Sequence, residues 1–154
     1  MITVRLLTYR DINTLIDFLV AYKQRLGSHY FAYFLTVDFA KEDEHEFLKR
    51  FYTLKRALNY VYVRDRTVIA IAREERYPDG RGFHAHILVI TRAYVNFEKF
   101  LDHARRHALL RATFNMRYVE PQVENVLRVL AYVVKSREEV ARAWEIVSGQ
   151  KIII

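Results

Sequence analysis

Apolar positions along this chain change their period several times, and each change marks an element. Met1 to Thr8 alternates weakly, as a short strand would. From there Ile12, Leu15, Ile16, Leu19 and Leu26 form a helical stripe, with Asp11 placed to cap the start and Gly27 to end it. His29 to Phe39 is dense in Tyr, Phe, Val and Thr, which predicts a long strand, apolar on both faces and so central in its sheet. Lys41 to Leu58 carries Phe47, Leu48, Phe51, Leu54 and Leu58 at helical spacing, acidic early and basic late in the order a helix dipole favours. A short aromatic run follows at Asn59 to Arg64. Two strands then flank Pro78-Asp79-Gly80, one from Val68 to Arg76 and one running to Ile90.

The C-terminal part repeats the alternation of helix and strand. Asn96 is a good cap for a helix to about Leu110, with Phe97, Phe100, Leu101, Ala104 and Ala108 as its buried stripe. Phe114 to Glu120 predicts a further strand, and Pro121 suits the opening of a helix striped by Val123, Val126, Leu127, Leu130 and Val134. Ser136 with Glu139 makes a capping-box pattern for a last helix that packs through Val140, Ala141, Trp144 and Val147. The apolar end Lys151-Ile-Ile-Ile suits an edge strand or a partner's surface. The resulting order, roughly β-α-β-α-β-β-α-β-α-α, predicts an α+β fold with helices against a largely antiparallel sheet. A single domain over 1–154 is expected, with 1–28 as an N-terminal extension packed on it.

Composition narrows the function. The chain has 154 residues, 52% of them hydrophobic, enough for one sizeable core. A net charge of +7 favours a polyanion as partner, nucleic acid before membrane, because the basic residues are spread through folded-looking segments. Eleven Tyr and ten Phe add surfaces on which unpaired bases can stack, although most must be core. The absence of Cys excludes disulfides, thiolate metal sites and Cys nucleophiles, and suits a cytoplasmic setting. Neither a membrane-length apolar run nor a signal-peptide pattern is present.

The strongest chemical signal is Phe83-His84-Ala85-His86-Ile87. On a strand, His84 and His86 project from one face with their imidazoles close together, a pair suited to a first-row divalent ion. A usable site needs a third protein ligand and open positions. The preceding strand offers Glu74 and Glu75 across the hairpin, of which only one can share the histidines' face. A second His pair, His103 and His107, stands one helical turn apart but reads as a solvated basic face with Arg105, Arg106 and Arg111.

Taken with two further motifs, this stretch resembles the HUH endonucleases, in particular their single-tyrosine rolling-circle replication-initiator branch. Phe34, Leu35 and Thr36 are similar to that family's upstream strand signature. Tyr132 and Lys135 match its helix-borne catalytic Tyr with a Lys three residues later. The motifs come in the family's order and span about two-thirds of the chain. The resemblance implies a central sheet of about five strands in an RRM-like, ferredoxin-related fold, with the Tyr helix alongside. It implies Glu75, with Glu74 as alternate, as the ligand beside His84 and His86, and Mn2+ or Mg2+ as cofactor. Thr36, Arg128 and Arg81 would contact DNA. The implied activity is nicking and joining of single-stranded DNA at a replication origin through a 5′-phosphotyrosine. A host helicase or polymerase and a second copy of the chain are further partners in this picture. No helicase domain is expected.

Each part has a plainer counterpart. A His-x-His pair in a strand is more often packing or surface than a metal site, a Tyr three before a Lys is common, and Glu74 and Glu75 are natural partners for Arg73 and Arg76. Their conjunction in a basic, aromatic-rich chain favours nicking. Two other readings keep part of the pattern. A single-Tyr transposase or relaxase would share the chemistry, but the related transposases place Gln four residues after the Tyr, where this chain has Ser136. A non-catalytic single-strand-binding module would use the sheet aromatics and need no metal.

Overall fold

The computed structural model describes residues 3–40, 67–76, 78, 82–92, 98–99, 102 and 113–154. Within them lie β1 (Thr3–Thr8), α1 (Ile12–Lys23), β2 (Phe31–Ala40), β3 (Thr67–Arg76), β4 (Gly82–Thr91), β5 (Thr113–Val119), α2 (Val123–Val134) and α3 (Arg137–Ser148). The five strands form one sheet in the order β1-β3-β4-β2-β5. β1 runs parallel to β3, and the other neighbours are antiparallel. This is the expected α+β fold with a mostly antiparallel sheet of five strands. β2 has a strand on each side, as its two apolar faces require. The N-terminal segment contributes from within the domain: β1 is a strand of the sheet, and Leu15, Phe18, Leu19 and Tyr22 of α1 are buried in the core.

Strand alternation divides one sheet face into two zones. Ile69 and Ile71 on β3, Leu88 and Ile90 on β4, and Ala32 on β2 join the helices in the core cluster. Beyond Ile71 on β3, Leu88 on β4 and Phe34 on β2, the next positions of the same face are polar: Arg73 and Glu75, His86 and His84, and Thr36 and Asp38. The change falls at the same level on all three strands because the register places Thr36 and Arg73 on either side of His86. The helices therefore cover the apolar zone, and the polar zone continues the sheet beyond them. The opposite face is buried too, through Leu35, Val37, Ala70, Ala72, Ile87 and Val89.

Caps fix the helix ends next to this boundary. Asp11 accepts the Asn13 N–H at 2.9 Å and the Thr14 N–H at 3.4 Å. Ser136 accepts the Glu139 N–H at 3.2 Å, which is half of the expected capping box. The Glu139 carboxylate instead accepts the Tyr9 hydroxyl, tying α3 to the residue that follows β1. Pro121 precedes the helix it was expected to open: Gln122 is the N-cap of α2, and the Pro121 carbonyl accepts the Tyr30 hydroxyl. The Tyr22 and Tyr30 hydroxyls lie 2.7 Å apart, so a buried phenol chain links α1 to the start of α2. α1 ends at Lys23, and Gly27 takes a positive φ of 92° in the turns beyond. The C-terminal isoleucines add no strand; Ile152 and Ile154 pack against the core and Ile153 is exposed. The helix expected over Lys41 to Leu58, the strand at Asn59 to Arg64 and most of the helix from Asn96, with His103 and His107, lie outside the described residues.

Candidate metal and tyrosine site

The site begins with register. Glu75 on β3 is the direct partner of His84 on β4, while Glu74 pairs with Ala85 and belongs to the opposite face. The structure thus brings Glu75 to the two histidines and not Glu74. One ligating atom from each of Glu75, His84 and His86 lies within 4.8 Å of the others, a group that could hold a metal ion. Glu75 Oε2 is 2.9 Å from His84 Nε2, and the imidazole centres are 5.0 Å apart. Two imidazole nitrogens and a carboxylate oxygen suit a divalent first-row cation with coordination positions left open.

The protonation tendencies of the group favour the same use. Burial raises the Glu75 carboxyl, but its hydrogen bond and charge interaction with Lys135, then the two imidazoles, outweigh that and hold it below the ordinary value. His86 is lowered by burial first and by the charge of His84 next, against the opposing pull of Glu75. A carboxylate beside a neutral imidazole is the ligating state of both groups. His86 is also oriented from behind. Thr36 on β2 sits directly across from it, with Oγ1 3.3 Å from Nδ1. When His86 Nδ1–H donates to that hydroxyl, the Nε2 lone pair is left for a metal.

Helix α2 brings the tyrosine to the edge of this group. Tyr132 lies in its last turn with 61% of its surface exposed, its ring centre 5.3 Å from that of His86 and 5.6 Å from that of Phe34. Phe34 stacks on His86 at 5.5 Å with an interplanar angle of 16°. Phe34 therefore forms a floor under both rings, a role its place in a strand signature did not disclose. Arg73 anchors the helix end by donating to the Val134 carbonyl, with its guanidinium over the Tyr9 ring. Sequence reasoning gave Arg73 no part in the site, though its two-residue spacing from Glu75 on a strand put it on the same face.

Lys135 reaches the site by a different route from a regular helical pair. It is the C-cap of α2 in the left-handed region, φ 58° and ψ 36°, and its Nζ pairs with Glu75 Oε1. Arg128 is exposed one turn before Tyr132, and Arg81 lies outside the described residues. Among the described residues no helix is long and apolar enough to cross a membrane.

No protein-family model matches the chain, and no match was found among curated proteins. A solved structure that resembles it is the crystal structure of the hypothetical protein ORF119 from Sulfolobus islandicus rod-shaped virus 1. The two share 17% sequence identity at a TM-score of 0.53, over 82% of this chain and 94% of that one. The likeness shows a shared fold.

Proposed function

We propose that this chain is a metal-dependent, HUH-type endonuclease and strand transferase that nicks and rejoins single-stranded DNA, as an initiator of rolling-circle replication. The observation that carries the reading is the convergence of an exposed Tyr132 with Glu75, His84 and His86 over the polar zone of one sheet face. A structural tyrosine with no chemistry to perform gains little from standing outside the core beside a ligand-competent His-Glu group.

In this reading Tyr132 is the nucleophile. Its oxygen attacks a backbone phosphorus, the bond to the 3′ oxygen breaks, and the strand is left with a free 3′-hydroxyl and a 5′-phosphate esterified to the phenol. The phenolic proton leaves as the new ester forms, and the departing 3′ oxygen takes up a proton. A divalent ion held by Glu75, His84 and His86 would supply Lewis-acid charge to a non-bridging oxygen of that phosphate. Lys135 provides a second cation near the tyrosine, and Phe34 and Arg73 hold the ring and the helix end in place. Because the ester conserves the bond, a later 3′-hydroxyl can reverse the step and join strands.

The test is covalent capture. Incubated with Mn2+ and a varied pool of single-stranded oligonucleotides, the protein is expected to give an adduct that survives denaturing electrophoresis. Tyr132→Phe is expected to abolish it while leaving the fold intact, since only an exposed hydroxyl is lost. Adduct formation by Tyr132→Phe would move the nucleophile elsewhere. Failure of the unmodified protein to form any adduct would favour a non-catalytic single-strand-binding module.

A further inference from the structure

One side chain borders both the ligand group and a basic cavity. Lys135 Nζ donates to Oε1 of Glu75, while Oε2 of the same carboxylate faces His84 Nε2 at 2.9 Å. The lysine also lines a cavity of about 310 Å³ with Arg128, Tyr132, Ser136 and Arg137, and no carboxylate is among the lining residues. Two guanidinium groups and the hydroxyls of Tyr132 and Ser136 suit that cavity to an anion. Its third cation, however, is committed to Glu75. What holds Lys135 in place is its backbone. The Ala131 carbonyl accepts both its N–H and, at 3.2 Å, that of Ser136, which pins the Cα at the end of α2. The side chain is half exposed on a flexible four-carbon stem, whereas Glu75 is mostly buried. Exchange of Lys135 between carboxylate and cavity therefore needs rotation of one side chain and no movement of the helix.

We propose that Lys135 is the resident counter-cation of Glu75 and is displaced toward the basic cavity when a divalent ion binds, so that metal occupancy completes an anion site beside Tyr132. The inference rests on the metal-ligand part of the reading above and adds regulation to it. Glu75 carries one negative charge, and Lys135 balances it. A divalent ion on the same carboxylate would leave an excess of positive charge at a mostly buried group, and the cation free to rotate away is the lysine. Arg128 and Arg137 oppose a third cation in the cavity until an anion arrives there. Metal and anion therefore each strengthen the other's binding, and the coupling is reciprocal. Without the metal, Lys135 stays with Glu75 and the cavity holds an anion with two cations in place of three.

Two measurements on the protein without DNA test this. In calorimetric titration with Mn2+, Lys135→Met is expected to bind the ion about fivefold tighter than the unmodified protein, the scale of a partly exposed ion pair that no longer competes. Lys135→Arg keeps the cation and should match the unmodified affinity. Arg137→Met removes a like charge two residues on and should change it less than about twofold. Unchanged or weaker Mn2+ binding by Lys135→Met overturns the proposal, because Lys135 would then support Glu75 as a ligand instead of competing for it. The second measurement follows the lysine itself, by trace acetylation and mass spectrometry of the peptide that contains Lys135. Mg2+ is expected to speed its acetylation by a similar factor, since the amine is no longer held against the carboxylate, and sulfate added with Mg2+ to slow it again. Sulfate alone should have no effect, and in Glu75→Gln the lysine should react fast with or without Mg2+. Labelling that ignores Mg2+ overturns the proposal, as does sulfate protection that is absent in Mg2+ or equally large without it. Covalent capture of DNA is scored separately: adduct formation with no displacement of Lys135 removes this proposal and leaves the nicking reading standing. Displacement of Lys135 without adduct removes the nicking reading and leaves the proposal.

Discussion

The Nζ of Lys135 pairs with the Glu75 carboxylate from a left-handed backbone, φ 58°, at the point where α2 ends. A non-glycine residue in that region is strained by roughly 1–2 kcal/mol, and such strain gathers where a side chain's position matters. The cap N–H to the Ala131 carbonyl and the Ser136 N–H to the same oxygen at 3.2 Å hold the turn closed. Lys135→Gly is therefore expected to be more stable than Lys135→Ala by about 1 kcal/mol, since both lose the ion pair and only Gly relieves the backbone. Chemical denaturation of the two variants checks it. Equal midpoints at equal slopes would show that the turn carries no such strain.

The same carboxylate and His86 set the protein's response to acid. His86 is held below its ordinary value of 6.5 and Glu75 below 4.5. In both cases the unfolded chain binds its proton more readily than the folded one, so stability rises with pH. The His86 contribution is complete above pH 6.5 and is lost as pH falls through its lower folded value; that of Glu75 is lost later, below pH 4.5. Melting of the metal-free protein should thus decline in two steps on acidification. His86→Gln should flatten the first step and leave the second. An unchanged profile for that variant would remove His86 as its origin.

Thr36 is expected to matter through His86. Replacing its hydroxyl by a methyl in Thr36→Val keeps the β-branched shape and removes the group 3.3 Å from Nδ1. Loss of a partner behind a metal-ligating imidazole costs about 10–100-fold in metal affinity. Calorimetric titration with Mn2+ should show a loss of that order with little change in melting temperature. Unaltered affinity would mean that the imidazole is oriented without Thr36.

How far the site was legible depended on the range of the information. Period-two alternation alone put His84 with His86 and Thr36 with Asp38, because it is a property of a single strand. It could not choose between Glu74 and Glu75, since a slip of one residue between β3 and β4 exchanges them, and only the paired strands decide. Nor could it place Thr36 opposite His86, a contact between strands far apart in sequence. The three-residue spacing makes Lys135 a helical neighbour of Tyr132, whereas in the structure it is the cap that stops the helix. The signal was present one residue later, since Ser136 as the N-cap of α3 requires α2 to end before it. A cavity of about 490 Å³ beside Tyr132 joins residues from β2, β5 and α2, and nothing local in the sequence marks it.

Pairing across β3 and β4 makes the two adjacent glutamates a control for each other. Glu75 faces His84 from the zone that holds both histidines, and Glu74 faces Ala85 on the reverse side of the sheet. If the carboxylate is a ligand, Glu75→Gln replaces an anionic oxygen donor by a neutral amide and should weaken Mn2+ binding by at least the 10–100-fold cost of losing an outer partner. Glu74→Gln changes the same charge one residue away and is expected to alter affinity less than threefold, a size typical of distant electrostatics in salt. Running both in one titration series separates ligation from a general loss of negative charge. Equal weakening by the two substitutions would assign Glu75 a field effect only, and a larger loss from Glu74→Gln would place the third ligand on the other face.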